Sequence, residues 1–202
     1  MILLMLHHYL LAIAFVLQSS NARADVKQHE LWQHVRGYTA TKHIQQIKIS
    51  EREREIIIKL LKSREGVDGW GCNTVDPVGN WLKDLRFERL PLSEAHAVIL
   101  VEAGVGCARG GQGANGAMWV VQFDDAGNPV LLASPEKEFN GWIFSVLSTA
   151  SNGYKDIVLG WHMGGPETPL KYFRFDGKLY EQIGSAVMRP GERGQMVIVS
   201  GK

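Results

Sequence analysis

The sequence predicts an α+β fold: a duplicated antiparallel β unit, in a twisted sheet or small sandwich, with N-terminal helices packed on it. Three observations carry this expectation. A capped helical stretch near residues 50–66 precedes the β-patterned part of the chain. Runs of strand-forming residues separated by turn signals fill residues 92–185. The stretch 154–180 repeats the pattern of 97–132: Ile157-Val158-Leu159 matches Ile99-Leu100-Val101 at an offset of 58, and Phe175-Asp176 matches Phe123-Asp124 at 52. The difference of six is a longer Gly-rich loop in the first copy, residues 104–117. Repeats of this size also occur in propellers, but two copies fall short of the roughly four blades that close one.

Taken in order, the chain opens on a leader. Residues 10–17 are apolar and Ala22-Arg23-Ala24 forms an A-x-A cleavage signal before Asp25, so residues 1–24 read as a secretion signal. The alternative is a membrane anchor, because the n-region holds His7 and His8 but no Lys or Arg. The apolar run is short of the roughly 20 residues that span a bilayer. Residues 25–202 suit a single globular domain, mainly helical over 25–66 and duplicated β over 92–185. Val26, Leu31, Trp32 and Val35 sit at near-helical spacing and predict a short amphipathic helix ending near Gly37. Residues 38–50 fit a strand through Ile47 and Ile49, or a helical turn through Ile44.

Ser50-Glu51-Arg52-Glu53 is a capping box, in which the Ser50 side chain accepts from an early helix N–H and Glu53 reaches back. The helix runs through Ile56, Ile57, Ile58, Leu60 and Leu61 and stops near Gly66. Residues 67–91 carry Gly, Asp, Asn and Pro around Trp70, Trp81 and Phe87, the composition of a long ordered connection. Strands are expected at 97–101, 118–123, 130–133 and 142–147, with Asp124-Asp125-Ala126-Gly127 as a turn. Residues 189–202 read as a tail in which 196–199 add an edge strand.

Charge excludes some partners. Lys and Arg number 22 against 21 Asp and Glu, and Arg23 lies in the leader, so the remainder is balanced. Nothing in net charge attracts nucleic acid or an acidic membrane, and no stable membrane insertion is expected once the leader is removed. The two cysteines, Cys72 and Cys107, lie in similar Gly-x-Gly-Cys contexts. In an oxidising compartment they suggest one disulfide, with two buried thiols as the alternative. A lone pair does not make a tetrahedral metal site without further ligands, and no metal or cofactor is expected.

Several catalytic patterns are imitated without their context. Gly111-Gln112-Gly113-Ala114-Asn115-Gly116 spells G-x-G-x-x-G, but strand-like Met118-Trp119-Val120-Val121 follows where a dinucleotide fingerprint opens a helix. A Gly-rich β loop is the better reading, from which Arg109 and Asn115 can reach a ligand. His29 and His34 are five apart, one too many for the H-E-x-x-H zinc motif, and point to different sides of a helix. No G-x-S-x-G elbow is present. His96 or His162 beside Cys107 would make a Cys-His pair, but a disulfide consumes the thiol. Asp124, Asp125 and Asn128 lack the spacing of a calcium loop and suit a turn.

The group Trp161-His162-Met163-Gly164-Gly165-Pro166 follows a strand directly. Trp and His beside a Gly-Gly-Pro loop make a contact surface, Trp being favoured where a partner is anchored. The competing reading has Trp161 capping the core and His162 half-exposed.

The pattern Gly153-Tyr154-Lys155-Asp156-Ile157-Val158, then Leu170-Lys171-Tyr172-Phe173-Arg174-Phe175-Asp176-Gly177-Lys178-Leu179-Tyr180, resembles one in poorly characterised secreted bacterial β-rich proteins. The resemblance extends to the Cys, Gly and Asn cluster of 107–119 and covers about the last half of the chain after the leader. It implies an exported bacterial protein and carries over no catalytic residue. Asp156-Ile157-Val158-Leu159-Gly160 also resembles FG-GAP repeats of integrin-type propellers, without their acidic calcium loop or repeat number.

The function expected is that of a periplasmic or secreted β-rich binding protein without catalysis. An inhibitor or immunity-type protein acting on another envelope protein fits, with Trp161, His162, Arg109 and Asn115 as the binding residues. The alternative is an envelope hydrolase with an unrecognised site, for which His162, Asp156, Arg109 and Asn115 are the residues to examine.

Overall fold

The computed structural model describes residues 32, 35, 45–46, 48–65, 81–104, 109–110, 115–192 and 195–200. The leader expected at residues 1–24, most of the expected helix at 26–35, residues 66–80 and the expected Cys72–Cys107 disulfide lie outside the described residues. The chain divides into two compact units, Met1–Gly37 and Tyr38–Lys202. In the first, Trp32 is helical and buried, and the Val35 N–H donates to its carbonyl at 3.1 Å. The rest concerns the second unit.

Its single described α-helix, α1 (Glu51–Glu65), begins at the capping box. Glu53 N–H donates to Ser50 Oγ at 3.2 Å, and Ser50 N–H donates back to Glu53 Oε2 at 2.8 Å. The Ser50 hydroxyl, donating to the same Oε2 at 2.6 Å, and after it the Ser50 N–H hold the Glu53 carboxyl below the usual carboxylate range. Ile57 and Leu61, one helical turn apart, point into the protein.

Among the described residues are eleven strands, one before α1 and ten after it: β1 (Gln45–Gln46), β2 (Arg86–Leu90), β3 (Val98–Glu102), β4 (Arg109–Gly110), β5 (Asn115–Phe123), β6 (Pro129–Ala133), β7 (Asn140–Ser151), β8 (Tyr154–Gly160), β9 (Thr168–Phe175), β10 (Tyr180–Pro190) and β11 (Met196–Ser200). All pairings are antiparallel. Hydrogen bonds run along the open order β1-β2-β3-β5-β7-β8-β9-β10-β11, with β4 and β6 beside β5. The fold is α+β, an antiparallel sheet with a helix packed on it.

The duplication appears as two four-stranded meanders, β2-β3-β5-β6 and β7-β8-β9-β10. Ile99 pairs with Val121, and Ile157 with Phe173. The offsets of 58 and 52 carry the first pair onto the second, so the copies share a register. Both hairpin turns are closed by an Asp carboxylate. Asp124 accepts from the Ala126 and Asn128 N–H groups, and Asp176 from those of Lys178 and Leu179.

Two elements differ from expectation. Residues 67–91 were expected as connection, yet 86–90 form β2. Its Arg-Phe-Glu-Arg-Leu sequence is charge-rich, and Phe87 and Leu90, three residues apart, face opposite sides of the sheet. Strand β10 reaches Pro190, into the expected tail, because β11 pairs with its last residues.

The meanders stack face to back. One face of the first, Ile99, Val101, Trp119 and Val121, packs with Ile57 and Leu61 of α1. Its other face, Val98, Leu100, Met118 and Val120, packs with Ile157, Leu159, Phe173 and Phe175 of the second. Ile99 and Ile157 are equivalent by register, yet only Ile157 points into the shared core. A face-to-face two-fold would bury both there. The meanders also join edgewise where Gly116 and Ala117 of β5 pair with Gly141 and Asn140 of β7.

Candidate functional site

Beside the junction of β5 and β7, the start of β5 meets the β8–β9 connection. Asn115, the first residue of β5, is buried at 5% exposure. Its amide makes two hydrogen bonds across the gap. Nδ2 donates to the His162 carbonyl at 2.7 Å, and the His162 N–H donates to Oδ1 at 2.7 Å. The loop base is closed by Trp161 N–H donating to the Pro169 carbonyl at 3.0 Å. Beyond this brace every residue from His162 to Glu167 is exposed, and Met163 reaches 71%.

Trp161 is half-buried beside the junction. The Lys171 ammonium lies 5.8 Å from its ring centroid and is paired with Glu138 at 2.9 Å. That bond holds the Glu138 carboxyl below the usual range. A β-carbon on Gly141 would come within 3.6 Å of the Trp161 ring. Trp161 thus packs on the loop base, and His162 and Met163 form the exposed part.

Of the residues expected to bind, Trp161, His162 and Asn115 come together. The two polar ends of the Asn115 side chain bond His162, so its place is as the loop's support. Arg109 lies in β4, its backbone paired with Gly116; its side chain lies outside the described residues. Sequence reading passed over Met163 as a contact residue and missed Lys171 and Glu138. Met163 was visible inside the quoted motif. Lys171 and Glu138 are 33 residues apart and carry no local signal.

Asp156, the fourth residue of the hydrolase alternative, belongs to a separate cluster. It is fully buried and four residues before the end of β8, roughly 13 Å back along the strand at 3.3 Å per residue. Thr149 Oγ1 donates to its Oδ2 at 2.8 Å, Tyr172 Oη at 2.9 Å and Arg174 Nη2 at 2.9 Å. The Arg174 guanidinium also lies over the Tyr172 ring at 5.9 Å. Bonding to Asp156 raises the affinity of Arg174 for its proton. His96 stacks on Tyr154, with centroids 6.1 Å apart, at a cleft of about 380 Å³ between the β2–β3 and β7–β8 connections. A second cleft, about 400 Å³, lies between α1 and β6. Neither is lined by Trp161, His162, Asn115 or Asp156. None of the clefts formed by described residues is lined by His162, Asp156 and Asn115 together, and no three metal-ligating side chains cluster among the described residues.

Burial pushes the Tyr172 hydroxyl up to about 12, and pushes Tyr154 and Tyr180 upward too. A raised tyrosine stabilises the fold fully below its unfolded value of about 10, and that contribution is lost as pH rises through the folded value. For Tyr172 the loss is about 2 kcal/mol by pH 12. The urea midpoint is expected to fall steeply between about pH 10 and 12, and less steeply in Tyr172→Phe. Parallel slopes in both proteins would show that Tyr172 does not control the alkaline limit.

Among the described residues, no helix is long and apolar enough to cross a membrane. Comparison of the chain with known protein families, curated proteins and solved structures finds no match.

Proposed function

We propose that this is an exported binding protein, periplasmic or secreted from a bacterium, that acts without catalysis through the 161–167 loop. Its partner is another envelope or secreted protein, as for an inhibitor or immunity protein. The observation that carries the reading is the Asn115 brace. A buried amide holds the backbone of His162 at two points while His162 and Met163 stand in solvent. A loop held in one conformation loses less entropy on binding, and an exposed Met is an adaptable apolar contact. The leader supports export, and the balanced charge favours a protein partner over nucleic acid.

The test is capture of partners from a bacterial envelope extract by the wild-type protein, Trp161→Ala/His162→Ala and Asn115→Ala. The double variant is expected to lose the captured protein. Asn115→Ala is expected to capture less and to be less stable by about 2 kcal/mol, the value of two hydrogen bonds, with Tm lower by roughly 4–8 °C. Equal capture by all three would remove this loop from the binding surface.

A further inference from the structure

The strand at one end of the sheet has an edge that no described strand covers. β11 is the last strand of the hydrogen-bonded order and pairs on one side with β10, from Ala186↔Ser200 to Pro190↔Met196. Among the described residues nothing pairs with its other side. Proteins blunt such edges with very short strands, charges, prolines or bulges, because an exposed row of N–H and C=O groups recruits another strand. The opposite end follows that rule: β1 is two residues long. β11 does not. Its five residues, Met-Val-Ile-Val-Ser, hold no charge, proline or glycine.

The side chains around this edge are also apolar and accessible. Met196 is 46% exposed and Val199 37%. Val187 and Val199 are cross-strand partners, as are Met188 and Ile198. The pairing of β10 with β9 ends at Met188↔Thr168, so Arg189 and Pro190 continue as a two-stranded ribbon with Met196 and Val197.

We propose that β11 is a dimerisation edge that pairs antiparallel with β11 of a second copy of this chain. A row of backbone groups with no strand partner among the described residues specifies a β-strand as occupant, and the sequence specifies which one. Val197-Ile198-Val199 reads the same in both directions. An antiparallel pairing centred on Ile198 sets Val197 opposite Val199 twice and Met196 opposite Ser200 twice. No charge opposes another, and both copies make the same contacts, as a two-fold interface requires. This inference is independent of the loop proposed to bind a partner.

Sedimentation of the purified full chain over a wide concentration range is the test, with hydrogen exchange read at β11. The mass is expected to rise from monomer to dimer, and alternate amides of 197–200 to gain protection as concentration increases. Val199→Lys is expected to weaken the dimer at least about tenfold, since two-fold symmetry counts the substitution twice. Circular dichroism should be unchanged because the position is exposed. Met196→Lys, on the other face of the strand, gives the same readout should Val199→Lys misfold. A monomer at every concentration would overturn the proposal and leave the edge for a foreign strand. So would a dimer that survives both substitutions without protection at β11.

Discussion

Gly141→Ala is expected to lower stability by about 4 kcal/mol, combining overpacking against a rigid neighbour with backbone strain. Gly141 has φ +113, a conformation that side chains disfavour, and a β-carbon there would meet the Gly160 carbonyl oxygen at 2.1 Å. The clashing atom is backbone, so no rotamer change relieves it. At roughly 2–4 °C per kcal/mol for a chain of this size, Tm should drop by about 8–16 °C. Gly141 pairs with Gly116, next to Asn115, so the same substitution should speed exchange of the His162 amide. Gly127→Ala is the control: φ is +78, with nothing within 4 Å of the added carbon. It should cost only about 1 kcal/mol of conformational strain. Equal melting shifts in the two variants would mean that the close approach of Gly141 on β7 to the Gly160 carbonyl on β8 does not limit how these two strands pack.

Asp156→Ala is expected to destabilise by about 3 kcal/mol, the low end for breaking a buried ion pair. The carboxylate is fully buried and receives bonds from Thr149, Tyr172 and Arg174. Removing it takes their shared acceptor from two hydroxyls and a guanidinium on β7 and β9. The low end applies because the Arg174 side chain is 38% exposed and recovers part of its hydration. Asp156→Ala/Arg174→Met should be less damaged than the sum of its single changes, since the second substitution removes the stranded charge. Urea denaturation of the four proteins measures this. Additive losses would show that Asp156 and Arg174 act independently. Partner capture by Asp156→Ala at a temperature where it is folded should match wild type, because the cluster lies away from the 161–167 loop.

Local chemistry carried much of the fold. The capping box set the start of α1 because Ser50 and Glu53 bond each other within one turn. The Asp124 and Asp176 turns were legible because each carboxylate bonds backbone two to four residues on. Strand β2 escaped because five charge-rich residues with one apolar group on each face present no clean alternation. The candidate loop was legible as a motif, through Trp161, His162 and the Gly-Gly-Pro that follows. Its support was not, since Asn115 and His162 are 47 residues apart. Asn115 read as a ligand group because sequence shows a polar residue in a Gly-rich loop and not what its amide faces.

By itself the sequence determined most of the elements of the β part and their repetition. Periodicity, capping and turn chemistry act over a few residues, and two offsets, 58 and 52, already contained the shared register of Ile99↔Val121 and Ile157↔Phe173. Only the tertiary structure decided which face each copy turns to the other. Both sides of β3 and β5 are apolar, so alternation marks two faces but not their covers. The tertiary structure also decided that Asp156 is a buried ion pair, that Gly141 faces a carbonyl oxygen, and that Asn115 braces the 161–167 loop. Each depends on atoms from distant strands meeting at hydrogen-bond or contact distance, and that proximity exists only once the meanders have stacked.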